Sequence, residues 1–170
     1  MRQGDPKPKS SKLIETERVY QEMLVLAKEL TLPSEPIPNT ILFGGNFDAI
    51  FVGLYKRKIN IPNDFDEVAI KKAEELYGDK WKRFVQENSS LITQIETILA
   101  EKYQGTYSKL RNFWAKLNRY PETRHLADLF RKEAKLSEML NYLNSKLNPL
   151  FIEASRIMPQ YGIKPEDFFS

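Results

Sequence analysis

The amino-acid sequence predicts an all-α protein, a helical bundle of about six or seven helices. Apolar residues recur at three- and four-residue spacings along most of the chain, which is the pattern of amphipathic helices. Prolines and glycines fall between these stretches, where helices end. No alternating run is long enough to indicate a strand. Hydrophobic residues make up 41% of the chain and charged residues 29%, as in a folded domain rather than a disordered segment.

The individual helices are predicted from the caps, prolines and glycines that mark their ends. The first begins at Ser11 and ends before Pro33. A short buried helix is predicted within the apolar stretch 41–55, with Asn46 as a candidate cap. The next helix ends at Gly78. The later predicted helices are Asp79–Tyr103, Thr106–Tyr120, Glu122–Leu147 and Pro149–Met158, followed by a last turn at Glu166–Phe169.

The pattern separates an N-terminal arm from the helical part of the chain. Residues 1–10 contain two prolines and no helical periodicity, so they are predicted to form a flexible basic arm. Residues 11–170 are predicted to form the helical domain. Because Gly105 interrupts the helical pattern, a division into two lobes, 11–104 and 105–170, is an alternative organisation.

Composition excludes several classes of function. The chain has no cysteine, which removes disulfides, thiolate nucleophiles and cysteine-based zinc sites, and suits a reducing compartment. No apolar run approaches the roughly 20 residues that a membrane-spanning helix needs. The first residues contain no apolar segment of the kind found in secretory signals. We therefore expect a cytoplasmic protein that makes no contact with membranes.

The residues needed for catalysis are sparse. His125 is the single histidine, and with Asp128 three residues later it supplies at most two metal ligands and no nucleophile. An ordinary surface pair is the favoured interpretation. The Gly44-Gly45-Asn46 turn is not followed by the Lys and Ser/Thr of a phosphate-binding loop. We therefore expect no enzymatic activity, no metal and no cofactor.

One predicted helix, Thr106–Tyr120, is both basic and aromatic. At about 100° per residue, an apolar side and a basic side lie opposite each other. The apolar side holds Leu110, Phe113, Trp114 and Leu117, with Tyr107 at its edge. The opposite side holds Lys109, Asn112, Lys116 and Arg119, called the basic stripe below, and one flank holds Arg111 and Asn118. Positions one turn apart are roughly 5–6 Å from each other, so the stripe suits a polyanion with regularly repeated charges.

The charge balance around this helix differs from that of the whole chain. Between Thr106 and Lys132, seven Lys and Arg residues face only Glu122 and Asp128, a local net charge of +5 against +3 for the chain. The remainder of the chain is therefore net acidic. This asymmetry indicates a surface that binds a polyanion, although a merely solvated basic face would look the same in the sequence.

The segment from Ser108 to Tyr120, SKLRNFWAKLNRY, resembles the signature helix of a known family. That family is the small helical subunit of type III CRISPR effector complexes, the Csm-type small subunit. A looser similarity covers residues 146–156, which end in Glu153, Ala154 and Arg156. The resemblance implies a non-catalytic RNA-binding subunit of a ribonucleoprotein complex in RNA-guided antiviral defence.

The resemblance also implies partners and site residues. Several copies would line a filament beside other subunits and hold guide or target RNA, single-stranded, through its backbone. Carried over by position, the phosphate contacts would be Lys109, Arg111, Lys116 and Arg119, with Arg156 on a second helix. Such contacts position a strand without reading its sequence, which suits a complex in which base pairing supplies specificity.

Two other functions stay open at the level of the sequence. A helical adaptor or assembly subunit without a nucleic-acid role could use the apolar stretch 41–55 to face a partner, although a buried helix is the favoured interpretation there. A DNA-binding helical module is indicated by residues 76–84, which resemble the Tyr-Gly-x-x-Trp corner of Myb-like domains. Only one such corner is present, and the alternative interpretation of Trp81 is a core anchor beside a helix start.

Overall fold

The computed structural model describes residues 10–30, 32, 47–62 and 65–169. Within these ranges the chain forms eight α-helices, two 3₁₀ helices and no strand, so the predicted all-α bundle is confirmed. None of the described helices has the length and apolarity of a bilayer-spanning segment. The α-helices are α1 Ser11–Ala27, α2 Phe47–Lys58, α3 Phe65–Tyr77, α4 Asp79–Glu87, α5 Ser89–Gln104, α6 Thr106–Arg119, α7 Arg124–Glu133 and α8 Leu136–Ile157, and the 3₁₀ helices are Met158–Tyr161 and Pro165–Phe168.

Some predictions concern residues outside the described ranges. The predicted flexible arm 1–10 lies there except for Ser10, whose Oγ caps α1 by accepting a hydrogen bond from the Leu13 amide at 3.1 Å. The candidate cap Asn46 and the Gly44-Gly45 turn lie there as well. Of the apolar stretch 41–55, the described part belongs to α2, and most of its side chains are buried. A core helix is therefore confirmed for this part, and a partner-facing surface is excluded.

The predicted long helix Asp79–Tyr103 is wrong, because the helix is interrupted at Asn88. The backbone there leaves helical geometry, with φ −115° and ψ 35°. The Asn88 side chain donates from Nδ2 to the Phe84 carbonyl at 2.9 Å. An asparagine whose side chain bonds a carbonyl of the preceding turn competes with helix continuation, so α4 and α5 form separately.

The predicted helices Glu122–Leu147 and Pro149–Met158 are also wrong in their boundaries. Lys135 adopts a left-handed conformation, with φ 56° and ψ 44°, and separates α7 from α8. Pro149 lies inside α8 instead of opening a helix. A proline within a helix removes one backbone donor, here the one that would serve the Ser145 carbonyl, and the exposed Pro149 ring is tolerated in this long helix.

The buried side chains form two clusters that share α5 and α8. The Phe51 core is built by α2–α5, the second half of α8 and the 3₁₀ helices, and the Phe130 core by α1, α6, α7 and the first half of α8. Ile98 packs against both. The alternative division into 11–104 and 105–170 does not follow these cores, because α1 belongs with α6 and the end of α8 belongs with α2. The largest members of the Phe51 core include Phe47, Phe51, Trp81, Phe84, Phe151 and Phe168, and those of the Phe130 core include Tyr20, Leu110, Phe113, Leu117, Phe130 and Met139.

Helices α2 and α3 approach each other closely in the Phe51 core. A Cβ atom on Gly53 would lie 2.5 Å from Ile70 Cδ1 and 2.8 Å from the Asp66 carbonyl oxygen, so only glycine fits there. Ion pairs also join the same two helices at the edge of this core. Lys56 Nζ lies 2.7 Å from Asp66 Oδ2, and Arg57 contacts carboxylates of α3. The hydrogen bonds that Arg57 donates to those carboxylates raise the pKa of Arg57.

Three aromatic rings hold α1, α6 and α7 together in the Phe130 core. Phe130 of α7 meets Tyr20 of α1 edge-on at 5.3 Å and Phe113 of α6 at 5.0 Å between ring centroids. Tyr20 and Phe113 are 6.4 Å apart. Edge-to-face contacts are the favoured arrangement of such rings. The cluster therefore fixes the rotation of α6 about its axis and turns its opposite side outward.

Candidate nucleic-acid interface

Helix α6 has ends close to those predicted from its sequence. At its start, the Thr106 amide donates to Glu101 Oε1 at 3.0 Å, so a carboxylate caps the helix and Thr106 is its first residue. At its end, Tyr120 takes an extended conformation, with φ −107° and ψ 130°, as expected of the residue before Pro121. The basic stripe therefore lies on one continuous helix of 14 residues.

The two faces of α6 are arranged as the sequence predicts. The apolar face is turned inward: Tyr107, Leu110, Phe113 and Leu117 are buried, and Trp114 is half-buried. All four residues of the basic stripe are exposed. From Lys109 to Arg119 the stripe is about 15 Å long, given the rise of an α-helix. The structure thus presents a rigid row of cations to solvent.

The arginines of the described residues divide sharply by position. Each described arginine outside α6 and α7 forms an ion pair with a carboxylate, while none of those in α6 and α7 pairs with a described carboxylate. The paired arginines are Arg18, Arg57, Arg83 and Arg156. The arginines without a described carboxylate partner are Arg111, Arg119, Arg124 and Arg131. Unpaired guanidinium groups concentrate on the segment that the sequence marks as basic.

Lys116 lies where the basic stripe meets α1. The Glu15 carboxylate of α1 has a lowered pKa, chiefly because Arg18 donates hydrogen bonds to it and in smaller part because of the positive charge of Lys116. Lys12, one turn earlier on α1, places its Nζ 3.3 Å from the centroid of the Tyr120 ring. Helix α1 therefore adds a cation to the end of the stripe, which the sequence analysis missed because only the tertiary fold brings the two helices together.

Arg111 faces a different neighbour from the stripe. Its charge acts on Lys102 and Tyr103 of α5, on the flank of α6 turned away from Lys116. Burial lowers the pKa of Lys102, Asp48 opposes that shift, and Arg111 adds to it. Arg111 is exposed, so it remains able to contact a phosphate, but from the side of the stripe rather than within it.

Arg156 is not brought together with the cations of α6. It lies on the half of α8 that packs in the Phe51 core, whereas the half that meets α6 ends near Leu143. Thirteen residues of helix separate the two positions, about 20 Å along the axis. Arg156 Nη1 also lies 3.3 Å from the Glu153 carboxylate. Both side chains are largely exposed, so this pair holds the guanidinium only weakly.

Arg124 has a structural role at the end of α6. Its Nε donates to the Asn118 carbonyl at 3.2 Å, which satisfies one of the acceptors left free at a helix C-terminus. Thr123 is buried and donates from Oγ1 to the Leu117 carbonyl at 3.0 Å. The α6–α7 turn is thereby fixed, and with it the position of Tyr120.

The predicted surface pair His125 and Asp128 is exposed on α7. In the described part of the chain, no group of three or more His, Asp or Glu side chains is placed to hold a metal ion. No protein family, curated protein or solved structure matches this chain.

Proposed function

We propose that this chain is a non-catalytic RNA-binding subunit that holds single-stranded RNA by its phosphate backbone along the basic stripe of α6. The observation that carries the proposal is the division of the arginines. Those elsewhere in the described chain pair with carboxylates, while those of α6 and α7 have no described carboxylate partner. Exposed cations without a described carboxylate partner are free to displace the counterions of a polyanion, which is the main source of affinity for nucleic acid.

The geometry of α6 favours contact with a backbone over reading of bases. Lys109, Lys116 and Arg119 project from one side of a helix whose other side is locked in the Phe130 core. Such a row gives affinity and register without sequence preference. This property suits a subunit of an RNA-guided complex, where pairing with the guide selects the target.

The similarity of Ser108–Tyr120 to the type III CRISPR small subunit supports the same role. On that basis we propose a cytoplasmic ribonucleoprotein complex with other protein subunits, in which several copies of this chain lie along the RNA. Lys109, Lys116 and Arg119 would form the primary contact, with Arg111 reaching the strand from the flank. Arg156, about 20 Å along α8 from the part of that helix that meets α6, would contact a separate stretch of RNA.

The test is a charge reversal within the stripe against a matched reversal elsewhere. The variant Lys109→Glu/Arg119→Glu should weaken binding of a fluorescent single-stranded RNA about 10- to 100-fold at low salt and reduce the salt slope by about 2. The control Lys71→Glu/Lys82→Glu makes the same charge change at exposed sites of α3 and α4. Binding is measured by fluorescence anisotropy over a salt series, and folding by thermal melting.

Each outcome of this test separates the candidate functions. Equal losses in both double variants would mean that only net charge matters and would remove the stripe as a site. Normal binding by the stripe variant would do the same. A preference for duplex DNA over single-stranded RNA would favour the DNA-binding module, and absence of binding to either at low salt would favour the adaptor.

A helical adaptor without a nucleic-acid role is the second candidate, and a surface of α3 favours it. Phe65, Val68 and Leu76 lie on one side of α3 and are 73%, 65% and 53% exposed. Exposed apolar stripes of this kind are typical of contacts between subunits. If the chain is such an adaptor, replacement of Phe65 and Leu76 by Ser should abolish co-purification of partner subunits, and the unaltered protein should bind no RNA at low salt.

A further inference from the structure

We infer that the cleft between α1 and α6 receives one unstacked base of the bound RNA, with Tyr120 as the surface on which the base stacks. The inference rests on the proposed function, because it assigns a second contact to the same strand. The cleft has a volume of about 120 Å³ and opens beside the end of the basic stripe. It is far smaller than the ~300–1,000 Å³ of sites for drug-sized ligands, so it suits a single planar ring system.

The cleft has an apolar interior and a charged mouth. Val19 of α1 with Phe113 and Leu117 of α6 supply its apolar lining, and Thr16 and Thr123 line it as well. Lys12 and Lys116 stand at its edges. Single-stranded RNA is recognised in sites of this composition, where an unstacked base enters an apolar slot and cations hold the phosphates on either side.

Tyr120 is placed to act as the stacking surface. It follows the last helical residue of α6, and its ring is only half-buried. Its face carries the Lys12 ammonium, 3.3 Å from the ring centroid, so that face is open to a polar group rather than covered by the core. A base would replace the ammonium on the ring, and the flexible Lys12 side chain would then reach the adjacent phosphate.

The position of the cleft connects it with the backbone contacts. Lys116 belongs to both the basic stripe and the lining of the cleft, and Arg119 follows one turn later. A strand whose phosphates lie along the stripe therefore passes the mouth of the cleft. The proposal thus adds one base contact to a row of phosphate contacts.

Glu15 gives the cleft a preference among bases. Its carboxylate lines the cleft and is held by hydrogen bonds from Arg18. An ionised carboxylate accepts hydrogen bonds from exocyclic amino groups, which cytosine, adenine and guanine carry and uracil lacks. The cleft should therefore bind cytosine, adenine or guanine better than uracil at the stacked position.

The experiment compares Tyr120→Leu with Tyr120→Phe and with Tyr142→Leu. Tyr142 is a matched control, since it is also half-buried and has a lysine, Lys146, with Nζ 4.9 Å from its ring centroid. Tyr120→Leu should weaken binding of a 12-nucleotide RNA about 5- to 100-fold without changing the salt slope. The other two variants should bind within about twofold of the unaltered protein, because Phe keeps the stacking face and Tyr142 lies outside the cleft.

A second measurement uses the unaltered protein, so it holds even if Tyr120→Leu fails to fold. An RNA with abasic sites throughout should bind more weakly than the intact strand, and oligo-U more weakly than oligo-C. Full affinity of the abasic strand, or of Tyr120→Leu for intact RNA, would overturn the base cleft and leave the phosphate contacts standing. If the unaltered protein bound no RNA at low salt, the proposed function itself would be overturned, and the cleft with it.

Discussion

Helix α2 of the Phe51 core and helix α6 of the Phe130 core use charge in opposite ways. On α2, Arg57 is paired within the chain: its Nη2 lies 2.5 Å from Glu67 and 3.0 Å from Glu74, and these contacts join α2 to α3. On the Phe130 core, the cations of α6 point to solvent without described carboxylate partners. Charges paired inside the fold hold helices together, whereas unpaired charges on a rigid helix remain available to an external polyanion.

The aromatic packing of the two cores also differs. In the Phe51 core, Phe51 and Phe151 stack at 5.4 Å between centroids, and Phe47 meets each of them edge-on. The Phe130 core depends on one aromatic cluster between three helices, with Phe130 at its centre. The first arrangement stabilises the fold, and the second also determines which side of α6 faces outward.

The largest expected effect separates these two roles of packing. Phe130→Ala and Phe51→Ala should each lower the free energy of unfolding by about 3–5 kcal/mol, because each deletes a fully buried ring. Only Phe130→Ala should also weaken RNA binding by the folded protein, since it loosens the packing that fixes the orientation of α6. Chemical denaturation gives the stability, and anisotropy under strongly native conditions gives the affinity. Equal RNA affinity in both variants would show that the Phe130 core does not position the stripe.

A smaller effect concerns the charge buried beside the Phe51 core. Asp48 is half-buried near Lys102, and its Oδ1 has no hydrogen-bond partner among the described residues. Burial raises the pKa of Asp48 from 3.8 to about 6, against the opposing charge of Lys102. Between these values the unfolded chain is ionised at Asp48 while the folded chain keeps its proton, so stability falls as pH rises through this window.

Asp48→Asn removes this titration. Relative to the unaltered protein, the variant should gain about 1–2 kcal/mol in free energy of unfolding between pH 4 and pH 7, measured by urea denaturation at several pH values. Asp79→Asn is the control, because Asp79 also lies in the first turn of a helix but is exposed. If the difference in free energy of unfolding between the variant and the unaltered protein stayed constant across this range, the pKa of Asp48 would not be raised in the folded state.

The sequence predicts those features that depend on one helix at a time. The two faces of α6 follow from its apolar periodicity, and its end follows from Pro121, so the basic stripe could be predicted in full. Gly78 was correctly predicted to end α3, where it takes a positive φ of 51°. Local rules are sufficient wherever the determining residues are close in the chain.

Features that depend on distant parts of the chain could not be predicted in this way. The cleft needs α1 to pack on α6, and nothing in either helix specifies the other. The pairing of Arg57 with Glu67 and Glu74 likewise depends on how α3 folds back on α2. The break at Lys135 carries no glycine or proline, and Pro149 fails to break α8, because tertiary packing outweighs local preference at both positions.

The smallest expected effect is at that break, where α8 begins and the Phe130 core closes. Lys135 takes a left-handed conformation, with φ 56°, which is costly for any residue with a Cβ atom. Lys135→Gly should therefore raise the free energy of unfolding by about 0.5–1 kcal/mol. Lys132→Gly, at an exposed position in the last turn of α7, makes the same chemical change in a helical backbone and should lower it by up to about 1 kcal/mol. Both variants remove one lysine, so opposite changes in the free energy of unfolding, measured by urea denaturation, would come from the backbone conformation alone. A loss of stability in both variants would mean that the boundary between α7 and α8 does not lie at Lys135.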